Sequence, residues 1–178
     1  MNYYISDLHF GHENVISLCN RPFCNVQQMN ESLIEKWNKV VHKNDNVFIL
    51  GDFAYNSNVN VEDYLSQLKG EKHLLIGNHD KSYMSKINMF KYFKTVDYMS
   101  IINTGKGKAT LCHYPLLDFK GKFMIHGHIH AKAKKLKYWD YLKNSNAYLN
   151  AGVDVNNYTP VSLEELINNN ELFKRNNI

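Results

Sequence analysis

The chain has 178 residues, of which 44% are hydrophobic and 21% are charged, with a formal net charge of +4, and this composition is typical of one globular domain. No apolar stretch approaches the roughly 20 residues of a membrane-spanning helix, and three cysteines without a close pair argue against both a disulfide framework and a thiolate zinc site. We therefore expect a single domain over residues 1–178, no membrane contact and, because no signal segment opens the sequence, a cytoplasmic location.

Strand-like and helix-like segments alternate in the first half of the chain. Apolar runs at 3–5, 47–50 and 74–76 predict strands. Between them, apolar residues recur at three- and four-residue spacing over about 25–40, and a second helical segment spans about 61–68. Strands interleaved with helices favour parallel pairing, so the first half predicts a parallel sheet.

The pattern changes beyond Met99. Short β-like runs are separated by the glycine- and lysine-containing segments 105–108 and 121–122, which favour antiparallel hairpins over further crossover units. The segment Ser162–Glu165 has the pattern of a helix N-terminus closed by a capping box. Together, the two halves predict an α/β fold with mixed β-sheets flanked by helices.

Six apolar runs end at side chains that can hold a metal ion or a phosphate group. Ligands of open α/β sheets bind beyond the carboxyl ends of the strands, so these side chains can converge on one site. Asp7 and His9 are two residues apart, which in an extended segment places both on the same face. The full set is Asp7, His9, Asp52, Asn78, His79, Asp80, His113, His126, His128, His130, Asn150 and Asp154.

The ligand types indicate which ions the site would take. Carboxylates and imidazoles without cysteine select borderline dications, namely Mn²⁺, Fe²⁺, Co²⁺, Ni²⁺ or Zn²⁺. His126, His128 and His130 form the strongest local metal signal, because clustered imidazoles repel one another when protonated and occur mainly where a cation keeps them neutral.

Two features point to anionic partners. Arg21 is one of only two arginines, and its guanidinium suits two-pronged phosphate contact, although a solvated or carboxylate-paired arginine is the competing interpretation. A basic run followed by aromatic residues can meet a polyanion or stack on a base, but a solvated loop whose aromatics cover the sheet is favoured. That run comprises Lys132, Lys134, Lys135, Lys137, Tyr138, Trp139 and Tyr141.

The order of five motifs resembles the calcineurin-like metallophosphoesterases over residues 3 to 155. The motifs are Asp7-x-His9, Gly51-Asp52, Gly77-Asn78-His79-Asp80, His113 and Gly127-His128-x-His130. The segments 9–14 and 21–23 further resemble a small, single-domain bacterial and phage-borne branch of that family. The resemblance implies a four-layer fold of two sheets between helices.

The resemblance also implies roles for individual residues. Two divalent ions would be bound, with Mn²⁺ favoured: one by Asp7, His9, Asp52 and His130, the other by Asp52, Asn78, His113 and His128. Asp52 would bridge them. His79 would stay unliganded and serve the substrate, with Asp80 orienting it. We add Arg21 and His12 as candidate substrate-binding residues.

Such a site favours a dinuclear metal-dependent phosphoesterase that hydrolyses a phosphodiester or phosphomonoester, with a hydroxide between the ions as the attacking group. We expect no capping or DNA-binding domain beyond the core, so a nucleotide or small phosphorylated metabolite is the expected substrate. Two alternatives stay open. One is a metal-dependent nuclease acting on RNA or DNA ends, and the other is a non-catalytic basic module that binds nucleic acid in a salt-dependent way.

Overall fold

The computed structural model describes residues 1–131 and 136–177, and within them it contains eight strands and seven helices. The strands are β1 (Asn2–Ile5), β2 (Asn46–Ile49), β3 (Glu71–Leu75), β4 (Phe93–Asp97), β5 (Met99–Asn103), β6 (Lys108–Cys112), β7 (Phe123–His126) and β8 (Tyr148–Asn150). The helices are α1 (Asn14–Cys19), α2 (Val26–Val40), α3 (Val61–Gln67), α4 (Lys81–Met84), α5 (Met89–Tyr92), α6 (Trp139–Lys143) and α7 (Leu163–Asn176).

The first sheet has the order β1-β2-β3-β4, and every neighbouring pair is parallel. This confirms the parallel arrangement that the alternation of strands and helices predicted. The carboxyl ends of these strands therefore lie at one edge of the sheet, where the first polar motifs begin.

The second sheet has the order β5-β6-β7-β8 and corrects the prediction of antiparallel hairpins. Only β5 and β6 form a hairpin, whose turn is closed by the hydrogen bond from Thr104 N to Gly107 O at 3.0 Å. β6, β7 and β8 are parallel. In a parallel pair both strands begin at the same end of the sheet, so the connection must run back along the sheet. Residues 113–122 and 127–147 make these two connections.

The two sheets stack face to face and are covered by helices on their outer sides, which gives four layers and confirms the expected fold. The alternation of side chains along each strand decides which layer a residue joins. Ile5 and Ile49 pack against α2 and α3, whereas Tyr4 and Leu50 face the second sheet. On the second sheet, Met124 and Tyr148 point away from the first, toward α6 and Phe173 of α7, among other residues.

The two longest helices begin at capped N-termini. The Asn25 side chain accepts a hydrogen bond from Gln28 N at the start of α2. Ser162 and Glu165 form the capping box predicted for α7. Among residues 1–131 and 136–177, no helix has the length and apolarity needed to cross a bilayer.

Candidate metal centre

The candidate site lies at the carboxyl ends of six strands. β1, β2 and β3 end at one edge of the first sheet, and β6, β7 and β8 end at one edge of the second. The segments after five of these strands carry the seven predicted metal ligands, the segment after β8 carries the supporting Asp154, and the ligand side chains form one cluster linked by the contacts given below. They are Asp7, His9, Asp52, Asn78, His113, His128 and His130.

Five of the seven residues have a left-handed backbone. Their φ angles are 57° at Asp7, 54° at His9, 55° at Asp52, 70° at His128 and 49° at His130. Such a conformation costs a non-glycine residue of order 1–3 kcal/mol and persists only where the surrounding structure enforces it. The turns after these strands are therefore shaped to aim side chains at the site rather than to minimise backbone strain.

One group of ligand atoms lies deep in the protein. The side chains of Asp7, His9 and His130 each offer an atom within 4.8 Å of the others. Asp7 is fully buried and His9 is 2% exposed. His9 Nε2 is buried and has no hydrogen-bond partner among the described residues, an arrangement that proteins avoid unless another group, such as a cation, completes it. We call Asp7, His9 and His130 the inner set.

A second group of ligand atoms lies closer to solvent. Asn78 Oδ1 is 3.0 Å from His113 Nε2 and 3.0 Å from His128 Nδ1. His113 is buried, whereas His128 is half-buried and Asn78 is exposed. We call Asn78, His113 and His128 the outer set.

Asp52 lies between the two sets. Its Oδ2 atom is 3.7 Å from His9 Nε2 and 3.5 Å from His113 Nε2. Its Oδ1 atom instead accepts a hydrogen bond from His79 N at 2.8 Å. One oxygen of Asp52 thus anchors the next turn, while the other points at imidazoles of both sets.

The ring orientation of His113 is fixed by a main-chain carbonyl. Its Nδ1 is 2.7 Å from Leu50 O, and because a carbonyl only accepts, Nδ1 carries the proton. Nε2 of the neutral ring is then an acceptor that faces two further acceptors, Asn78 Oδ1 and Asp52 Oδ2. Three acceptor atoms that point toward one another repel, and a divalent cation between them would remove that repulsion. The donor set therefore fits a metal ion.

A buried carboxylate orients His130. Asp154 Oδ2 lies 2.7 Å from His130 Nδ1, which leaves Nε2 as the atom free to bind an ion. Burial alone would lower the pKa of His130, but the hydrogen bonds of its ring to Asp154 and Cys19 and the charges of Asp7 and Asp154 together outweigh burial and raise the pKa to about 10. Asn150 Nδ2 also donates to His130 O at 2.8 Å. Both Asn150 and Asp154 therefore support the site without being in the predicted ligand set.

Arg21 does not have the contacts of the predicted substrate-binding residue. It is buried, and its guanidinium donates to Asp7 O at 2.6 Å, to Leu8 O at 2.9 Å and to Asp154 Oδ1 at 2.9 Å. These partners occupy the nitrogens that would grip a phosphate. Arg21 instead ties the segment of Asp7 to the carboxylate that orients His130, which is the carboxylate-paired interpretation considered from the sequence.

Asp80 likewise has a different partner set from the one expected. Its carboxylate accepts hydrogen bonds from Asp52 N and Phe53 N at 2.9 Å, from Gly77 N at 2.7 Å and from the Tyr83 hydroxyl at 2.8 Å. Burial raises the pKa of Asp80, and the amides oppose that shift. Asp80 is thus a buried clamp between two ligand-bearing turns, because four donors surround it and none belongs to the His79 ring.

The His79 ring stands at the open side of the cluster. Its side chain is 32% exposed, compared with 3% for His9 and 0% for His113. Its Nε2 is 4.0 Å from Asp52 Oδ2, so it borders the ligands. His12, half-buried, lies beside it, with Nδ1 at 3.4 Å from His9 Nδ1, and burial lowers the pKa of His12.

His126 is separate from the cluster that its two neighbours join. Its Nδ1 donates to Gly127 O at 2.9 Å, and its ring packs near Tyr148. Burial is the main reason that its pKa falls to about 4, so the ring is neutral and part of the core. Strand alternation explains the difference, because His126 shares the outward face of β7 with Met124.

Two glycines make room for the ligands. A Cβ on Gly127 would lie 2.7 Å from Asp7 Oδ2, and one on Gly77 would lie 2.6 Å from Asp52 N. Neither position therefore tolerates a side chain without moving a ligand-bearing segment.

Two tyrosines that were not among the candidate residues of the sequence analysis also border the site. The Tyr55 ring centroid is 4.2 Å from that of His79, and the Tyr114 ring centroid is 4.6 Å from that of His128. The available signal was position, since each follows a ligand, Asp52 or His113, within three residues. Of the basic run, Lys132, Lys134 and Lys135 lie outside the described residues, and Lys137 is exposed.

Comparisons with known proteins agree with this geometry. The model of a family described as calcineurin-like phosphoesterase matches residues 3–174. An uncharacterized protein of Methanocaldococcus jannaschii is 37% identical over 171 residues, covering 93% of this chain and 88% of that protein. The Gene 66 protein of Mycobacterium phage L5 is 27% identical over 160 residues, covering 72% of this chain and 77% of its own.

One solved structure is also similar. The crystal structure of a protein of unknown function from Aquifex aeolicus superposes with a TM-score of 0.73 at 30% sequence identity. The match covers 93% of this chain and 96% of that one. The similarity therefore extends over nearly the whole fold of both proteins, not over the ligand motifs alone.

Proposed function

Because the chain belongs to the calcineurin-like phosphoesterase family, we propose that it is a dinuclear metal-dependent enzyme that hydrolyses a phosphodiester or a phosphomonoester. The observation that carries the proposal is the convergence of carboxylate, amide and imidazole ligands from five strand ends around Asp52 Oδ2. A purely structural role would not explain an unpartnered, buried His9 Nε2 in the centre of that cluster.

The proposed ligands divide around Asp52. Asp7, His9 and His130 would hold one ion and Asn78, His113 and His128 the other, with Asp52 shared. Since Asp52 Oδ1 is engaged by the main chain, Oδ2 is the atom that would bridge. We propose Mn²⁺ as the native ion, with Fe²⁺, Co²⁺, Ni²⁺ and Zn²⁺ as alternatives, because the donor set has no thiolate.

Two such dications, when bound, would supply a nucleophile at neutral pH and offset the charge of the phosphate oxygens. The chain's own contribution is position and proton transfer. His79, exposed beside the ligands, would donate the proton that the leaving oxygen needs, a role worth about 10²–10⁴-fold in rate. Asp80 and Arg21 would hold the turns that carry the ligands.

The proposed substrate is a nucleotide or a small phosphorylated metabolite. The open side of the cluster is bordered by Tyr55 and Tyr114, whose rings can contact the organic part of such a substrate. Action on RNA or DNA ends, non-catalytic binding of nucleic acid and a cytoplasmic location stay predictions from the sequence.

A direct assay tests the proposal. Purified protein with Mn²⁺ is incubated with an aryl phosphodiester and an aryl phosphomonoester, with and without excess chelator. We expect turnover of at least one ester, its loss in chelator and its return on adding Mn²⁺. The protein with Asp52→Ala, prepared identically, controls for a contaminating phosphatase. Turnover that ignores chelator, or that survives in the variant, would contradict the proposal.

A further inference from the structure

A single aromatic ring lies against the two imidazoles at the open side of the site. The Tyr55 ring centroid is 4.2 Å from that of His79, with a 58° angle between the planes, and 4.9 Å from that of His12. Tyr55 is half-buried, so part of the ring stays accessible to a ligand. A leaving group whose oxygen receives a proton from His79 would therefore lie close to the Tyr55 ring.

Tyr55 also lines a cavity of about 270 Å³ between the loop that follows β2 and helix α4. The polar part of its lining includes Asn56, Ser57, Asn58, Ser82 and Lys86. Amide and hydroxyl groups can both donate and accept hydrogen bonds, and Lys86 adds a positive charge. Ala54, Val59, Val61, Tyr83 and Ile87 supply an apolar part of the lining, so the cavity suits a flat ring that has apolar faces and hydrogen-bonding edges.

The segment that carries Tyr55 is hydrogen-bonded to the segment that carries His9 and His12. Tyr55 N donates to Phe10 O at 3.2 Å, and Phe10 and Ala54 form a parallel bridge. Further along the loop, Ser57 Oγ is 3.1 Å from the Tyr64 hydroxyl and accepts from Val59 N at 3.1 Å. The ring is therefore mounted on backbone that is fixed relative to His9 and His12, which reduces the entropy lost when a ligand binds.

We propose that this cavity is the leaving-group subsite and that the leaving group carries an aromatic or heterocyclic ring, as a nucleoside does. The inference rests on the proposed hydrolysis. In that reaction water gives up a proton to solvent and its oxygen bonds to phosphorus. The bond from phosphorus to the leaving oxygen breaks, the electron pair stays on that oxygen, and His79 supplies the proton to it. The leaving group consequently departs on the side of His79, where Tyr55 offers its ring and the loop offers polar edges.

The test compares two phosphodiesters that differ in the shape of the leaving group and not in its acidity. One has an aryl leaving group and the other an alkyl leaving group of matched acidity, so the chemical step is equally demanding for both. Stacking on an aromatic side chain contributes about 1–3 kcal/mol for a base, so Tyr55→Ala should lower kcat/KM for the aryl ester about 10-fold. The loss should appear mainly in KM, because stacking is present in the ground state as well as in the transition state.

Three comparisons separate this role from a structural one. Tyr55→Ala should lower kcat/KM for the aryl ester more than for the alkyl ester and so remove the wild-type preference, and Tyr55→Phe should retain that preference because it keeps the ring. Phe90→Ala, which removes a 76% exposed aromatic from α5, should change neither ester. Equal losses on both esters with Tyr55→Ala, or no loss on either, would overturn the inference.

A binding measurement keeps the inference testable apart from turnover. Calorimetry in Mn²⁺ compares phenylphosphonate with propylphosphonate, neither of which can be hydrolysed. Wild type should bind the phenyl compound about 10-fold more tightly, and Tyr55→Ala should remove the preference. If wild type hydrolyses no ester but still binds phenylphosphonate more tightly than propylphosphonate, the proposed function is contradicted and the subsite is not. If wild type binds the two phosphonates equally, the subsite is contradicted.

Discussion

The inner and outer sets of ligands differ in how firmly the fold holds them. Asp7 and His9 are buried, and the network of Arg21 and Asp154 supports the inner set from behind. In the outer set Asn78 is exposed and its amide oxygen has only the imidazoles His113 and His128 as side-chain partners among the described contacts.

The difference indicates that the two sets have different roles within one metal centre. A buried set with oriented rings loses little freedom on binding an ion, so the inner ion should bind more tightly and exchange more slowly. The outer set faces solvent through Asn78 and His128, where a substrate would enter. Sequence spacing alone does not distinguish the metal affinities of the two sets. Burial and the supporting contacts indicate that the inner set should bind its ion more tightly.

Asp52→Ala should have the largest effect, because it removes the carboxylate that lies between the inner and the outer set. Its Oδ2 atom lies between His9 and His113, so no other described side chain can replace it. We expect a loss of at least about 10³-fold in kcat/KM together with loss of bound metal, measured by steady-state kinetics and elemental analysis. Asp63→Ala, an exposed carboxylate on α3, is the matched control and should behave as wild type.

His79→Ala should break neither set and yet remove most turnover. The ring borders the ligands without being buried among them, so metal content should match wild type. Loss of the proton donor should lower kcat about 10²–10⁴-fold for esters with poor leaving groups, and less for activated aryl esters. Full activity of His79→Ala on a poor leaving group would remove it from the mechanism.

Asp154→Asn should damage the inner set alone. An amide in place of the carboxylate can donate to His130 Nδ1, which moves the ring proton to Nε2 and blocks the atom that would bind an ion. We expect affinity for the inner ion to fall about 10–100-fold, measured by competition with a chelating dye. Thermal unfolding in chelator is the control, because Arg21 loses its charged partner in the same variant.

Asn78→Ala should produce the smallest effect on metal binding. It removes one exposed oxygen from the outer set and leaves Asp7, His9 and His130 intact. Affinity for the second ion should fall about 10-fold while the first ion stays bound, which a calorimetric titration with Mn²⁺ resolves as two events. Simultaneous weakening of both events would contradict the division into two sets.

The fold and the ligand-bearing turns were accessible to sequence analysis because they depend on local patterns. An apolar strand followed by Asp7 or Asn78 is visible in a few residues, and parallel pairing then brings the turns together. The hairpin predicted at 105–108 was confirmed, whereas the one predicted at 121–122 was wrong, since a short glycine segment does not reveal the length of the whole connection between β6 and β7.

The supporting contacts were inaccessible for a different reason. Arg21 and Asp154 are separated by 133 positions, and Asp80 accepts from amides 27 and 28 positions away. Their residue types suit phosphate binding and catalysis as well as they suit structural support. Only the three-dimensional contacts show that Arg21 and Asp80 hold ligand-bearing turns.

The location of Mn²⁺ in crystals, measured by anomalous diffraction, tests the central claim most directly. We predict two peaks on either side of Asp52 Oδ2, one bonded to the inner set and the other, of lower occupancy, to the outer set. A map with no peak inside the cluster at saturating Mn²⁺, with His113 Nε2 and His9 Nε2 still facing Asp52, would contradict the account.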